Sequence, residues 1–219
     1  MIAEAVDYLE AIERLPRNGT LVLYGVPWEE YEEVLAQTES KPAYRVSYND
    51  GILKITSPRP DHEYPKDVAL SLVRTYADEM DIMLESYGST TYRRRKKAKG
   101  AEPDTSFYVQ NAARMIARAE IDLEKDPPPD VVVEIDTTNE STDKLEIYAA
   151  LGVSEIWRFD GKKFEILLLE GDRYRETSKS LALPLISADI LTEYLNRGKT
   201  EGQTAMLKAF RRFLRNENQ

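Results

Sequence analysis

Asp104, Glu134 and Lys144 are the residues whose types and spacing could do chemistry. Glu134 ends the run Val131-Val132-Val133, a β-branched stretch suited to a strand covered on both faces, and Asp136 follows at period two on the same side. Asp104 follows Pro103 and opens an earlier strand candidate, residues 105–109. Two carboxylates on adjacent strands of one sheet can converge on a cation that polarises a phosphodiester and activates water. A lysine beside the same water would stabilise developing charge or help to deprotonate the nucleophile. The spacing alone is a weak signal, because 39 of the 219 residues are Asp or Glu.

Lys144 is singled out by its helix. The loop 137–142, Thr-Thr-Asn-Glu-Ser-Thr, is rich in capping residues and precedes a helix that ends at Gly152. With Thr142 as the cap, Asp143 suits the helix dipole and Lys144 does not; a cation there typically loses about 0.3–1 kcal/mol. An ordinary ion pair with Glu140 or Asp143 would offset this, as would a reach towards Glu134.

Composition narrows the chemistry. There is no cysteine and one histidine, His62, which excludes disulfides, thiolate nucleophiles, zinc–cysteine sites and a multi-histidine metal site within one chain. Any metal site must use oxygen ligands, which favour magnesium, manganese or calcium. No apolar run approaches the roughly 18 residues of a membrane span. The N-terminus carries acidic residues early and lacks the basic start and apolar core of a signal peptide, so a cytoplasmic location is expected. The net charge of −9 argues against wholesale adhesion to nucleic acid but leaves room for a local basic groove.

The elements that must position these residues follow from periodicity. An amphipathic helix is expected within residues 1–19, a strand at 20–24 and a helix at 28–37 with Trp28, Tyr31 and Leu35 on one face. Strands at 44–48 and 52–56 flank Asn49-Asp50-Gly51, a hairpin turn. A helix follows with Pro65 in its first turn and Val68, Ala69, Leu72, Val73, Tyr76 and Met80 on its apolar face. His62 and Glu63 stand at its start; either becomes an accessory site residue if that end faces the carboxylates. Strands are expected at 82–87 and 90–94, a helix at 111–125, the core strand after the triple proline 127–129, the Lys144 helix, and a strand at 154–160. A meander at 163–169 and 174–177 and two helices at 188–196 and 200–215 complete the chain.

Arg93, Arg94, Arg95, Lys96, Lys97 and Lys99 put six positive charges into seven positions of an acidic protein. Such runs are ordinarily solvated loops. Beside Asp104, this one is also suited to phosphate: positive charge to hold a backbone, carboxylates to hold a metal.

The segments PDTSFYV and PPDVVVEIDTTNESTDKLEIYAALGVSEIWRFD resemble the Uma-type restriction endonuclease family, within the PD-(D/E)XK nuclease superfamily. The matching positions are Pro103-Asp104, Pro129-Asp130 with Val131 to Glu134, Lys144 with Tyr148, and Gly152-Val153 followed by Glu155 to Trp157. The resemblance is clearest over 44–195. It implies an α/β fold with a restriction-endonuclease-like core, a central mixed β-sheet flanked by helices. Residues 1–43 would be a helical and hairpin extension, and 196–219 a C-terminal helix on the core or on a dimer partner. It further implies a magnesium or manganese ion at Asp104 and Glu134. In the superfamily's simplest form a lysine stands two residues after the second carboxylate; here that position is Asp136, and Lys144 is the natural substitute. Asp136 is left as an extra metal or water ligand, or a loop cap. The expected function is a magnesium-dependent DNA endonuclease, homodimeric because two strands need two sites, with no small-molecule cofactor and no membrane. The alternative is a catalytically silent nuclease fold that binds nucleic acid or protein.

Overall fold

The computed structural model describes residues 15–16, 19–38, 44–57, 62–136 and 142–217, except the side chains of Thr142 and Asp143. The helix expected within 1–19 and the loop 137–141 therefore lie outside the described residues, apart from the end of the former.

The strands form two sheets. The first, ordered β1-β3-β2-β6-β5, contains β1 (Thr20–Leu23), β2 (Arg45–Asn49), β3 (Ile52–Thr56), β5 (Tyr92–Arg94) and β6 (Lys99–Ala101). Asp50 and Gly51 join β2 to β3 with φ of 47° and 88°, the left-handed pair that a two-residue hairpin requires. Helix α1 (Trp28–Thr38) packs on this sheet, and Tyr31 stacks on Tyr48 with ring centroids 4.8 Å apart. That packing needs Gly100, since a Cβ there would lie 2.1 Å from the Tyr31 hydroxyl. Residues 20–38 are thus built into the sheet formed by the hairpin.

The second sheet, ordered β11-β10-β9-β8-β7-β4, comprises β4 (Glu85–Ser86), β7 (Thr105–Tyr108), β8 (Val131–Ile135), β9 (Glu155–Phe159), β10 (Phe164–Glu170) and β11 (Arg173–Thr177). It is mixed: β8 and β9 are parallel and the other pairs antiparallel. Parallel neighbours need a crossover, and a helix numbered α4 below (Thr142–Leu151) supplies it.

Every residue of β8 is buried, because both its faces are covered. Val131, Val133 and Ile135 enter the larger core with α2 (Glu63–Met80), α5 (Ala188–Glu201) and α6 (Gln203–Glu217). Val132 enters the core on the opposite face with Tyr108, Ile147, Tyr148 and Leu151. Period two puts Glu134 on the Val132 side, facing α4. On β7 the same alternation sets Asp104 and Ser106 on the Tyr108 side. Ser187 caps α5 by accepting from the Ile190 N–H at 3.1 Å, and Gly202 separates α5 from α6. Met206, Phe210 and Leu214 of α6 pack in the larger core, while Arg211 and Arg215 bond Glu79 of α2.

Three expectations need correction. The helix over 111–125 is confined to α3 (Ala112–Met115). Beyond it, Asp122 and Asp126 side chains accept from the Glu124 and Asp122 N–H groups, and Ala117 has φ of 58°; side-chain acceptors here outcompete a helical ladder. The strand at 82–87 shrinks to β4. The basic run is not an open loop: Arg95–Lys97 form one 3₁₀ turn between β5 and β6, with Ala98 left-handed at φ 48°.

Candidate active site

Asp104 and Glu134 face each other across the β7–β8 ladder. Thr105 pairs with Val133 in antiparallel register, so the next pair outward is Asp104 with Glu134. Two bonds fix the pairing: the Asp104 N–H donates to the Val133 carbonyl (3.2 Å), and the Ile135 N–H donates to Asp104 Oδ2 (2.7 Å). Both carboxylates are nearly sequestered, at 8% and 4% exposure.

From α4, Lys144 Nζ donates to both oxygens of Glu134 at 3.0 Å and to the main-chain oxygen of Glu102 at 3.0 Å, which uses its three protons. Tyr148, one helical turn on, donates its hydroxyl to Glu134 Oε1 at 2.5 Å. Burial pushes the Glu134 carboxyl up to about 7; Lys144 opposes this, the nearby Asp104 charge adds to it, and the Tyr148 hydrogen bond opposes it. Burial, followed by the Glu134 charge, holds the Tyr148 hydroxyl well above its ordinary value, so it remains a donor.

With both carboxylates ionised, Lys144 offsets one of the two negative charges at 3.0 Å, and a dication would more than compensate the other, which Arg45 meets only from 4.0 Å. The donors are hard oxygens, which fits magnesium or manganese. Among the described residues no cluster of three or more His, Asp or Glu forms. The remaining ligands would thus be water, main-chain or substrate oxygens, as is usual for magnesium.

Arg45 of β2 adds a cation, its Nε 4.0 Å from Asp104 Oδ1. With Tyr44, Ser89, Thr91, Arg93 and Glu102 it lines a polar cleft of about 590 Å³. Glu102 braces the boundary between cleft and carboxylates: its side chain accepts from the Val46 N–H (3.0 Å) and the Thr91 hydroxyl (2.6 Å) while its carbonyl holds Lys144. Sequence reasoning missed Arg45 and the Glu102 carbonyl, which carry no local signal. Tyr148 carried one, its spacing of four from Lys144.

The other candidates lie differently. Asp136 is buried at the end of β8, its N–H donating to the Phe159 carbonyl at 2.8 Å. Glu63 is 63% exposed and pairs with Lys66 at 2.5 Å, and His62 occupies the N-cap position of α2 without a side-chain capping bond. Asp130 anchors the chain, accepting from the Val109 N–H, the Asn111 N–H and the Asn111 side chain.

In the basic run, Arg95 pairs with Glu29 and Glu32, Arg93 with Glu32 (4.0 Å), and Lys96 with Glu124 (3.0 Å). Arg94 donates to the Leu123 carbonyl at 2.7 Å. Lys99 is buried and bonded to Asn49, Asp50 (2.8 Å) and Glu146 (3.0 Å), which ties α4 to the first sheet. Lys97 has no acidic partner among the described residues.

A mixed sheet that sets Asp104 and Glu134 on one face, where Lys144 meets them from the crossover helix α4, and packs its other face on α2, α5 and α6 defines a nuclease-like α/β protein. The chain belongs to the Uma2 family, described as "Putative restriction endonuclease", whose pattern matches residues 28–194. Among solved structures it is similar to a "putative nuclease belonging to DUF820" from Anabaena variabilis ATCC 29413. That similarity has a TM-score of 0.51 and 14% sequence identity, covering 75% of this chain and 98% of the other. At that identity the likeness is one of fold. No curated protein matches the chain. No helix among the described residues is long and apolar enough to cross a membrane.

Proposed function

We propose that this protein is a magnesium- or manganese-dependent endonuclease that hydrolyses DNA phosphodiester bonds, with Asp104 and Glu134 as the carboxylate ligands of the cation. One observation carries the reading: Lys144 reaches across from α4 to a buried Glu134 that stands opposite Asp104. When bound, the cation would supply Lewis acidity and a water of lowered pKa.

The chain's own residues do the positioning. Asp104 and Glu134 are fixed by a sheet ladder rather than by loops, so their separation does not depend on substrate. Lys144 can turn one of its donors from Glu134 to a phosphate oxygen as negative charge develops there. Arg45, largely buried in the wall of the cleft, offers a guanidinium, a group matched to phosphate. Membership of a family described as restriction endonucleases supports DNA as the substrate. Arg93, Arg95 and Lys96 would reach a backbone by exchanging carboxylate partners for phosphates, and Lys97 would reach it directly. Cutting both strands calls for two related sites, hence a homodimer.

The test is cleavage of supercoiled and linear DNA with magnesium or manganese by wild type, Asp104→Ala, Glu134→Ala and Lys144→Ala. Cation-dependent cutting by wild type that each substitution abolishes is expected. Undiminished cutting by all three variants would refute the site, and no cutting by wild type would favour a silent nuclease fold.

A further inference from the structure

The two oxygens of Glu134 are not equivalent. Oε1 receives both the Lys144 ammonium at 3.0 Å and the Tyr148 hydroxyl at 2.5 Å, whereas Oε2 receives Lys144 alone at 3.0 Å. An ionised carboxylate offers about two acceptor sites per oxygen. Oε1 is therefore filled from the helix side, and Oε2 keeps one site.

Tyr148 has little freedom to do otherwise. It is fully buried on α4, in the core that contains Ile147, Leu151, Val153 and Ile156, where a hydroxyl that let go of Glu134 would stand in apolar surroundings. Its place four residues after Lys144 puts both donors on one face of the helix, above the same carboxylate. Lys99, bonded to Glu146 between them, holds that helix against the first sheet.

We propose that Tyr148 makes Glu134 a single-oxygen ligand through Oε2, and so selects a small six-coordinate cation over calcium. This rests on the reading of Asp104 and Glu134 as cation ligands. Calcium takes six to eight oxygens and often both oxygens of one carboxylate, whereas magnesium demands near-octahedral geometry and usually meets a carboxylate through one oxygen. A tyrosine that occupies Oε1 closes the two-oxygen mode. Tyr148 is thus a positioning residue, which touches the ligand rather than the substrate.

The test is calorimetric titration of the full chain with magnesium, manganese and calcium chlorides, comparing wild type, Tyr148→Phe and Tyr92→Phe. Tyr92 is a control, a buried tyrosine whose hydroxyl bonds Ser106 Oγ at 2.8 Å. In Tyr148→Phe the ratio of calcium to magnesium affinity should rise about tenfold, in the range typical of groups that orient a ligand. Tyr92→Phe should leave it unchanged. A ratio unchanged in folded Tyr148→Phe, or raised equally by Tyr92→Phe, would overturn the inference while leaving the cation site standing. No divalent binding by wild type would overturn both. Infrared difference spectra of wild type against Glu134→Gln, each with magnesium, test the same point without the tyrosine variant. A wide carboxylate stretch splitting, as for one-oxygen coordination, is expected from Glu134, and the narrow splitting of two-oxygen coordination would overturn the inference.

Discussion

The ammonium of Lys144 lies 3.0 Å from each carboxylate oxygen of Glu134, although the two residues belong to different elements and Lys144 stands in the unfavourable first turn of its helix. The position carries a mild dipole cost, and it is the one from which Lys144 reaches the buried Glu134. Removing the cation alone would leave Glu134 facing Asp104 with only a tyrosine for support, and such a carboxylate neutralises itself by taking a proton. Lys144→Met is therefore expected to fold with Glu134 protonated and to lose DNA cleavage by about 100-fold or more, the scale of a lost charge-stabilising donor. Single-turnover cleavage at saturating DNA, beside a thermal melt, checks both halves.

Glu134 also predicts a pH dependence of stability in the metal-free protein. Its folded pKa of about 7 exceeds the ordinary 4.5, so the folded state holds this proton more tightly than the unfolded chain does. The associated stability is complete below about pH 4.5 and is lost as pH rises through 7, on the order of 3 kcal/mol in all. Urea denaturation in chelator at pH 5 and pH 8 should show wild type losing more stability across this interval than Glu134→Gln. Equal losses would mean that Glu134 titrates normally.

A bound dication should reverse that trend. Because protons and metal compete for the same carboxylate, magnesium should raise the melting temperature more at pH 8 than at pH 5. The difference should vanish in Glu134→Gln. Differential scanning calorimetry with and without magnesium measures it, and an equal shift at both pH values would count against Glu134 as a ligand.

The basic run should divide into two kinds of residue. Lys99→Met removes a buried tie between Asn49, Asp50 and Glu146, whose acids are themselves exposed; a loss of about 1–2 kcal/mol is expected, with no change in the salt dependence of DNA binding. Arg93→Ala and Lys97→Ala should barely change stability. Each should make the slope of log affinity against log salt shallower by about 0.9 if it holds a phosphate. Fluorescence anisotropy at several salt concentrations decides, and an unchanged slope would take the run out of the DNA interface.

Much of the fold is legible along the chain because its signals are local. The Asn49-Asp50-Gly51 turn, Pro65 in the first turn of α2, the valine run of β8 and the Gly152 stop of α4 each fix backbone geometry within a few residues. Residues 111–125 misled because Asp122 and Asp126 satisfy backbone donors that a helix would otherwise use, a competition helical spacing does not reveal. The division into two sheets was also hidden, since pairing partners lie far apart in sequence.

The sequence by itself determined which groups were available: oxygen ligands only, a carboxylate at the end of a doubly covered strand, and a lysine misplaced for its helix dipole. Tertiary structure decided what each group meets. The β7–β8 register set Asp104 opposite Glu134, the α4 crossover brought Lys144 and Tyr148 onto one carboxylate, and packing of α1 beside β5 matched Arg93 and Arg95 with Glu29 and Glu32. Backbone preferences act over one turn or one strand and leave their mark in sequence. Charge pairing and burial depend on which distant segments the fold brings within a few ångströms, as with Arg95 and Glu29, 66 positions apart.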